Sequence, residues 1–171
     1  MTVLVGYASE GGSTEEIAEH IAADVSAQGH QVLLCSADRA PDPAGFQAVV
    51  LGSAIHNQAW LPEAISFLRE YRDALGARPV WLFGVGLPGA LHGRMRALAL
   101  REKQKVFEGL ASAVHPEDCA LFTGVVRPEQ MPWWGRLAFR AAGGHFGDFR
   151  DWAEIARWTD TICARLAPVG G

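Results

Sequence analysis

Six residues near the start of the chain, Ser9-Glu10-Gly11-Gly12-Ser13-Thr14, combine hydroxyls and glycines in an order suited to holding one phosphate group. The run before them, Val3-Leu4-Val5-Gly6-Tyr7, reads as a buried parallel strand. The segment after them, residues 14–28, sets Ile17, Ala18, Ile21, Ala22 and Val25 on one helical face. Ser13 and Glu16 have the spacing of a capping box, and Gly29 supplies the stop. A strand therefore feeds a helix through this turn. N–H groups at a helix start are unpaired and carry the positive end of the macrodipole, so an anion is stabilised there without a lysine. Glycines let the main chain come close to phosphate oxygens, and Ser9, Ser13 and Thr14 offer hydroxyls. The same residues would serve a capped helix that binds nothing; two glycines followed by two hydroxyls favour the anion.

The elements that must position this turn follow from the apolar pattern. Residues 31–35, 48–52, 79–83 and 119–123 read as further strands, and residues 62–75, 95–113 and 149–166 as helices. The last helix is expected to bury Trp152, Ile155, Ala156, Thr159, Ile162, Cys163 and Leu166. Five apolar strands alternating with helices imply an α/β protein with a parallel sheet covered on both faces. Ligands in such folds bind beyond the carboxyl ends of the strands, at a topological switch point. Three loops occupy those ends: residues 9–14, residues 52–61 and residues 84–93. The second carries Gly52, Ser53, Ala54, Ile55, His56, Asn57 and Gln58, and the third Gly84, Val85, Gly86 and Leu87. Together they suit a flat heterocycle whose phosphate rests in the first loop. Trp60 reads as core or loop packing rather than a stacking partner, and His56 as a surface or hydrogen-bonded histidine.

Other phosphate-binding schemes fit less well. Residues 84–89 spell GxGxxG, but Pro88 and a fourth-strand position depart from the dinucleotide context. No GxxxxGK[ST] motif is present, and the ends of the first and third strands lack the acid cluster of a receiver domain.

With 171 residues, 49% hydrophobic and 20% charged, the chain has the size and composition of one globular domain. Its first residues already read as a strand, which predicts a cytoplasmic location. Cys35, Cys119 and Cys163 have no metal-ligand or disulfide spacing and read as buried thiols; no metal site is expected. The net charge of −4 conceals an asymmetry: residues 1–93 carry −6 and residues 94–150 carry +3. The basic stretch from Arg94 to Lys105, with Arg127, Arg136 and Arg140, is either a solvated face or a docking surface for an acidic protein, an anionic substrate or anionic lipid. Lacking spaced aromatics and a nucleic-acid module, it makes no case for DNA or RNA. Trp133 and Trp134 beside arginines suit a helix at a membrane interface, while packing beneath the sheet explains them equally well.

Residues 3–18, 48–55 and 147–152 together resemble the flavodoxin family, and more closely its single-domain, FMN-binding branch that includes menaquinone-dependent protoporphyrinogen dehydrogenases. The resemblance implies a flavodoxin-like three-layer sandwich with a five-stranded parallel sheet in the order 2-1-3-4-5. It implies FMN as cofactor, with the phosphate at Ser9, Glu10, Gly11, Gly12, Ser13 and Thr14. The ring would lie between Ser53, Ala54, Ile55, His56 and Asn57 on one side and Gly84, Val85, Gly86 and Leu87 on the other. The family's phosphate loop has the form [ST]-x-T-G-x-T; Ser9, Gly12 and Thr14 match it, and Gly11 replaces the threonine. An FMN oxidoreductase exchanging electrons with a redox partner protein, a quinone or a small substrate is the expected activity. A pure electron shuttle and a flavin-free interaction module are the alternatives, and peripheral membrane contact and a homodimer stay open.

Overall fold

The computed structural model describes residues 1–57, 59–86, 106–107, 109–110, 114–141 and 143–166. Gln58, Leu87, the rest of the third loop, the basic stretch from Arg94 to Lys105 and most of the helix expected over residues 95–113 lie outside the described residues.

Five parallel strands, β1 (Thr2–Ala8), β2 (Gln31–Ser36), β3 (Ala48–His56), β5 (Val80–Gly86) and β6 (Asp118–Thr123), form the sheet in the order β2-β1-β3-β5-β6. This is the expected order, with the two-residue strand β4 (Ala59–Trp60) added antiparallel to the end of β3. Alternation along each strand divides the apolar residues between two cores. Val3, Val5, Val50, Trp81, Phe83 and Phe122 face helix α1 (Ser13–Ala27) and the C-terminal helix, whereas Leu4, Val49, Leu51, Val80 and Leu82 face the opposite layer. That layer is built from α2 (Pro62–Glu70) and α3 (Arg72–Gly76), with Phe107 and Val114 buried in it. The helix expected over residues 62–75 is thus divided at Tyr71, where ψ is 23°. Its halves seat on different connectors: α2 packs on the turn at Ala37–Arg39, α3 on the turn at Pro43–Gly45.

After β6 the chain leaves the sheet. Strands β7 (Val125–Val126) and β8 (Gly147–Asp148) pair antiparallel at the base of an excursion that carries α4 (Trp133–Ala141). The final helix α5 (Trp152–Leu166) returns to the first core with Ile155, Trp158, Ile162 and Leu166 buried. Trp152, expected inside, lies on the surface at the helix start, and Trp158 takes the buried place because it follows Ile155 by three residues on the core face. The Trp158 indole N–H donates to Asp118 Oδ2 at 2.8 Å, fixing α5 to β6. The three cysteines are only half-buried, a correction to their expected burial; burial still pushes the Cys35 and Cys163 thiols up.

Close packing across the sheet depends on glycine at β3. A Cβ built on Gly52 would lie 2.0 Å from the Phe83 ring, whereas at Gly76 it would meet nothing within 4 Å. Gly52→Ala is expected to lower stability by about 2 kcal/mol or more through overpacking, while Gly76→Ala, at the end of α3, leaves it unchanged or higher. Urea denaturation midpoints of the two variants check this.

Candidate functional site

The carboxyl ends of β1 and β3, adjacent at the centre of the sheet, carry the site. β1 ends at Ala8, and the chain turns into α1 within four residues. Gly12 makes the reversal with φ 86°, a left-handed conformation that glycine adopts without a Cβ penalty. Ser9 closes the turn by accepting the Gly12 N–H on its Oγ at 3.0 Å. The first intrahelical bond runs from Glu16 N–H to Gly12 C=O at 3.0 Å. Ser13, Thr14 and Glu15 therefore direct their amides ahead of the helical ladder, where an anion is stabilised.

The expected capping box does not form. Ser13 is the first helical residue, not the cap, because Gly12 takes the capping position without a side chain. Its Oγ instead accepts the Val125 N–H at 3.1 Å, tying the excursion after β6 to the start of α1. Gly124 permits this contact: a Cβ there would lie 3.3 Å from Ser13 Cβ and 2.9 Å from a Val85 methyl. A hydroxyl that accepts one bond still has its proton to donate, so Ser9 and Ser13 both retain an O–H for an anion.

Three carboxylates surround this cradle, and each is held by a donor from elsewhere in the fold. Glu10 Oε2 lies 3.0 Å from His56 Nδ1, a contact between exposed side chains that joins the first loop to the end of β3. Glu15 accepts the Tyr7 hydroxyl at 2.6 Å, which together with burial pushes the Tyr7 phenol up to about 12. Glu16 pairs with Arg150. Arg150 also binds Asp148 Oδ2 at 2.6 Å and lies 4.7 Å from the Trp152 ring centre. The hydrogen bond to Asp148 raises the already high basicity of Arg150 and lowers Asp148 below the usual carboxylate range. None of these pairings has a periodicity that sequence reading detects, and Arg150 is separated from Glu16 by 134 positions.

The second expected loop is largely strand. β3 continues to His56, and Ile55 and His56 pair with Trp60 and Ala59 across a tight hairpin. Asn57, with φ 48°, stands at its tip, a conformation asparagine tolerates. Fully buried Ser53 pins the hairpin base, donating to Ala54 C=O and accepting from Leu61 N–H, both at 2.9 Å. Trp60 is core, edge-on to Phe107 at 6.0 Å. The third loop also begins later than expected: Gly84, Val85 and Gly86 are the last residues of β5. Gly84 is there for packing, since a Cβ would lie 2.7 Å from an Ile55 methyl, and the described part of the GxGxxG pattern, Gly84 to Gly86, is strand. Gly86 C=O is taken by Gly124 N–H at 3.0 Å.

A parallel sheet in this order, covered by helices on both faces and with unpaired helix-start amides at the carboxyl end of β1, defines a doubly wound α/β protein with a candidate anion site. The chain belongs to the flavodoxin domain family, whose model matches residues 4–143. It is 21% identical to protoporphyrinogen IX dehydrogenase [quinone] of Escherichia coli strain K12, over 95% of this chain and 94% of that protein. Oxidised flavodoxin 2 from Bacillus cereus superposes with a TM-score of 0.61 at 18% identity, over 96% of this chain and 99% of that one. A flavodoxin from the domain Archaea gives 0.58 at 15% identity, over 98% of this chain and all of that one. At such identities the structures establish the fold. The protein is accordingly a flavodoxin-like FMN flavoprotein of electron transfer, an oxidoreductase. The donor set fits that cofactor: the helix-start amides and the hydroxyl protons of Ser9 and Ser13 would be available to a phosphate, and the neighbouring carboxylates are paired.

Two outcomes follow. Arg150→Gln leaves Glu16 uncompensated at the cradle and should weaken FMN binding about tenfold, with the second change Glu16→Gln restoring it; fluorescence titration of the apoprotein reads both. Tyr7 should stay protonated through pH 10 and titrate near 12, because its folded value is raised; the stabilisation from its bond to Glu15 is present below pH 10 and is lost as pH rises through about 12. The ultraviolet difference spectrum of wild type against Tyr7→Phe isolates this transition.

Proposed function

We propose that the protein is an FMN-dependent reductase or dehydrogenase that passes electrons from a reduced donor, a porphyrinogen or a partner protein, to a quinone. The observation that carries this reading is the end-to-end match with a quinone-linked protoporphyrinogen IX dehydrogenase. In this reading Ser9, Glu10, Gly11, Gly12, Ser13 and Thr14 hold the phosphate by main-chain amides and hydroxyls, with Gly11 giving close approach in place of a further hydroxyl. Residues 53–57 and the end of β5 at Gly84, Val85 and Gly86 flank the ring with backbone groups and apolar side chains. FMN supplies the electron-carrying chemistry, which is why the protein needs few ionisable groups. The chain's own residues bind, orient and shield it; the pairing of Glu10 with His56 bridges the phosphate loop and the ring loop.

Charge supports an enzyme over a shuttle. Flavodoxins that serve only as shuttles commonly offer a strongly acidic face to basic partners, whereas residues 94–150 here carry a net +3. The full-length likeness to flavodoxins keeps the shuttle as the second reading. No described helix is long and apolar enough to cross a membrane.

The purified protein should show the visible bands of oxidised flavin and release FMN on denaturation. Anaerobic mixing with protoporphyrinogen and a naphthoquinone should then give turnover. A holoprotein that turns over neither substrate but accepts electrons from a reductase is a shuttle. A colourless protein that takes up no added FMN is an interaction module, and the redox reading fails.

A further inference from the structure

Among the described residues, helix α4 carries the largest group of exposed apolar side chains, and its surroundings identify what covers it. Trp133, Trp134 and Leu137 are 76%, 63% and 67% exposed, and no residue of the helix is buried. The opposite side of the helix anchors it. Phe139 packs on Phe146 with ring centres 5.3 Å apart and on Gly144, where a Cβ would lie 2.5 Å from the ring. The end is closed by Gly143 N–H to Arg140 C=O at 3.0 Å and Gly144 N–H to Phe139 C=O at 2.9 Å, the paired bonds of a glycine stop. The helix is therefore held firmly with its tryptophans outward, although sequence alone explained them as well by core packing.

Arg136 and Arg140, four residues apart, run as a row beside the Trp133–Leu137 ridge. The excursion from Val125 to Phe146 holds Arg127, Arg136 and Arg140 against the single acid Glu129, in a chain whose first 93 residues carry −6. Arg136 is braced by its Nε bond to Met131 C=O at 3.0 Å, and Arg140 by the face of Phe146 at 5.5 Å. Tryptophans and a leucine on one side with arginines along the flank match the chemistry of a bilayer interface, where indoles sit at headgroup depth and guanidinium groups meet lipid phosphates. An isologous pairing of two copies through this ridge would set arginine row against arginine row, so charge disfavours a second copy as the occupant.

We propose that α4 docks the protein on anionic lipid bilayers, with Trp133, Trp134 and Leu137 entering the interface and Arg136 and Arg140 binding lipid phosphates. The base of the same excursion is bonded to the phosphate cradle, through Val125 N–H to Ser13 Oγ, so docking holds the carboxyl edge of the sheet near the membrane surface. The proposal does not rest on the redox reading, because the patch and its charges stand whatever the substrate is.

Flotation of the full chain with phosphatidylcholine vesicles containing about one-third phosphatidylglycerol tests it. The wild type should float with these vesicles and at least tenfold less with pure phosphatidylcholine. Trp133→Ser with Trp134→Ser should abolish flotation, and Arg136→Gln with Arg140→Gln should reduce it at least tenfold, as should high salt. Both double variants change exposed side chains, and an unaltered circular dichroism spectrum confirms that they fold. Wild type that fails to float, or a tryptophan variant that floats as well, overturns the proposal. Sedimentation showing a wild-type dimer that the tryptophan variant loses, without flotation of either, assigns the ridge to a second copy and overturns it equally.

Discussion

Between Ala8 and Ser13 the chain passes from an inner strand of the sheet into a helix, and Gly12 turns it with a φ of 86° that a side chain would strain. The Ser9 hydroxyl holds that turn closed. Because β1 pairs with β2 on one side and β3 on the other, the helix start cannot drift without disturbing the sheet. Packing of Ile17, Ile21 and Val25 against Val3, Val5 and Val50 fixes the direction of α1 and, with it, the direction of its first amides. The proposed anion cradle is thus a by-product of core packing, positioned by buried apolar residues.

The same end of α1 gathers the more distant parts of the site. Ser13 receives Val125 from the excursion, Glu16 receives Arg150 from the approach to α5, and Glu10 receives His56 from β3. Each contact compensates or uses a polar group that would otherwise be unpaired or repel a phosphate. The exposed Glu10–His56 pair contributes little stability by itself. The value of the three contacts is geometric: they tie three segments, far apart in sequence, to one helix turn, and place the apolar ridge of α4 on the excursion that begins at Gly124.

Much of the fold is legible in the sequence because parallel strands covered on both faces need continuous apolar runs, and β1, β3 and β5 have them. The strand-to-helix turn at residues 9–14 is legible for a similar reason, since glycines and hydroxyls between a strand and a helix form a local pattern. What escapes is whatever depends on a partner. The strand extensions through His56 and Gly86 carry polar or small residues that read as loop until the hairpin to β4 and the packing of Gly84 on Ile55 are known. Ser13 has the spacing of a cap, but the left-handed glycine before it and Val125 opposite it give the hydroxyl other work. The paired tryptophans are equally ambiguous in sequence, because indoles serve cores and interfaces alike; only their position on the outer side of α4 decides.

The central claim is that the helix start at Ser9–Thr14 holds the phosphate of FMN by main-chain amides and oriented hydroxyls. Its most direct test is to titrate the apoprotein with FMN and with riboflavin, which carries the same ring without the phosphate. Held as the structure implies, FMN binds at least about a hundredfold more tightly than riboflavin. Equal affinity for the two would contradict the claim and move the recognition of the cofactor away from the turn.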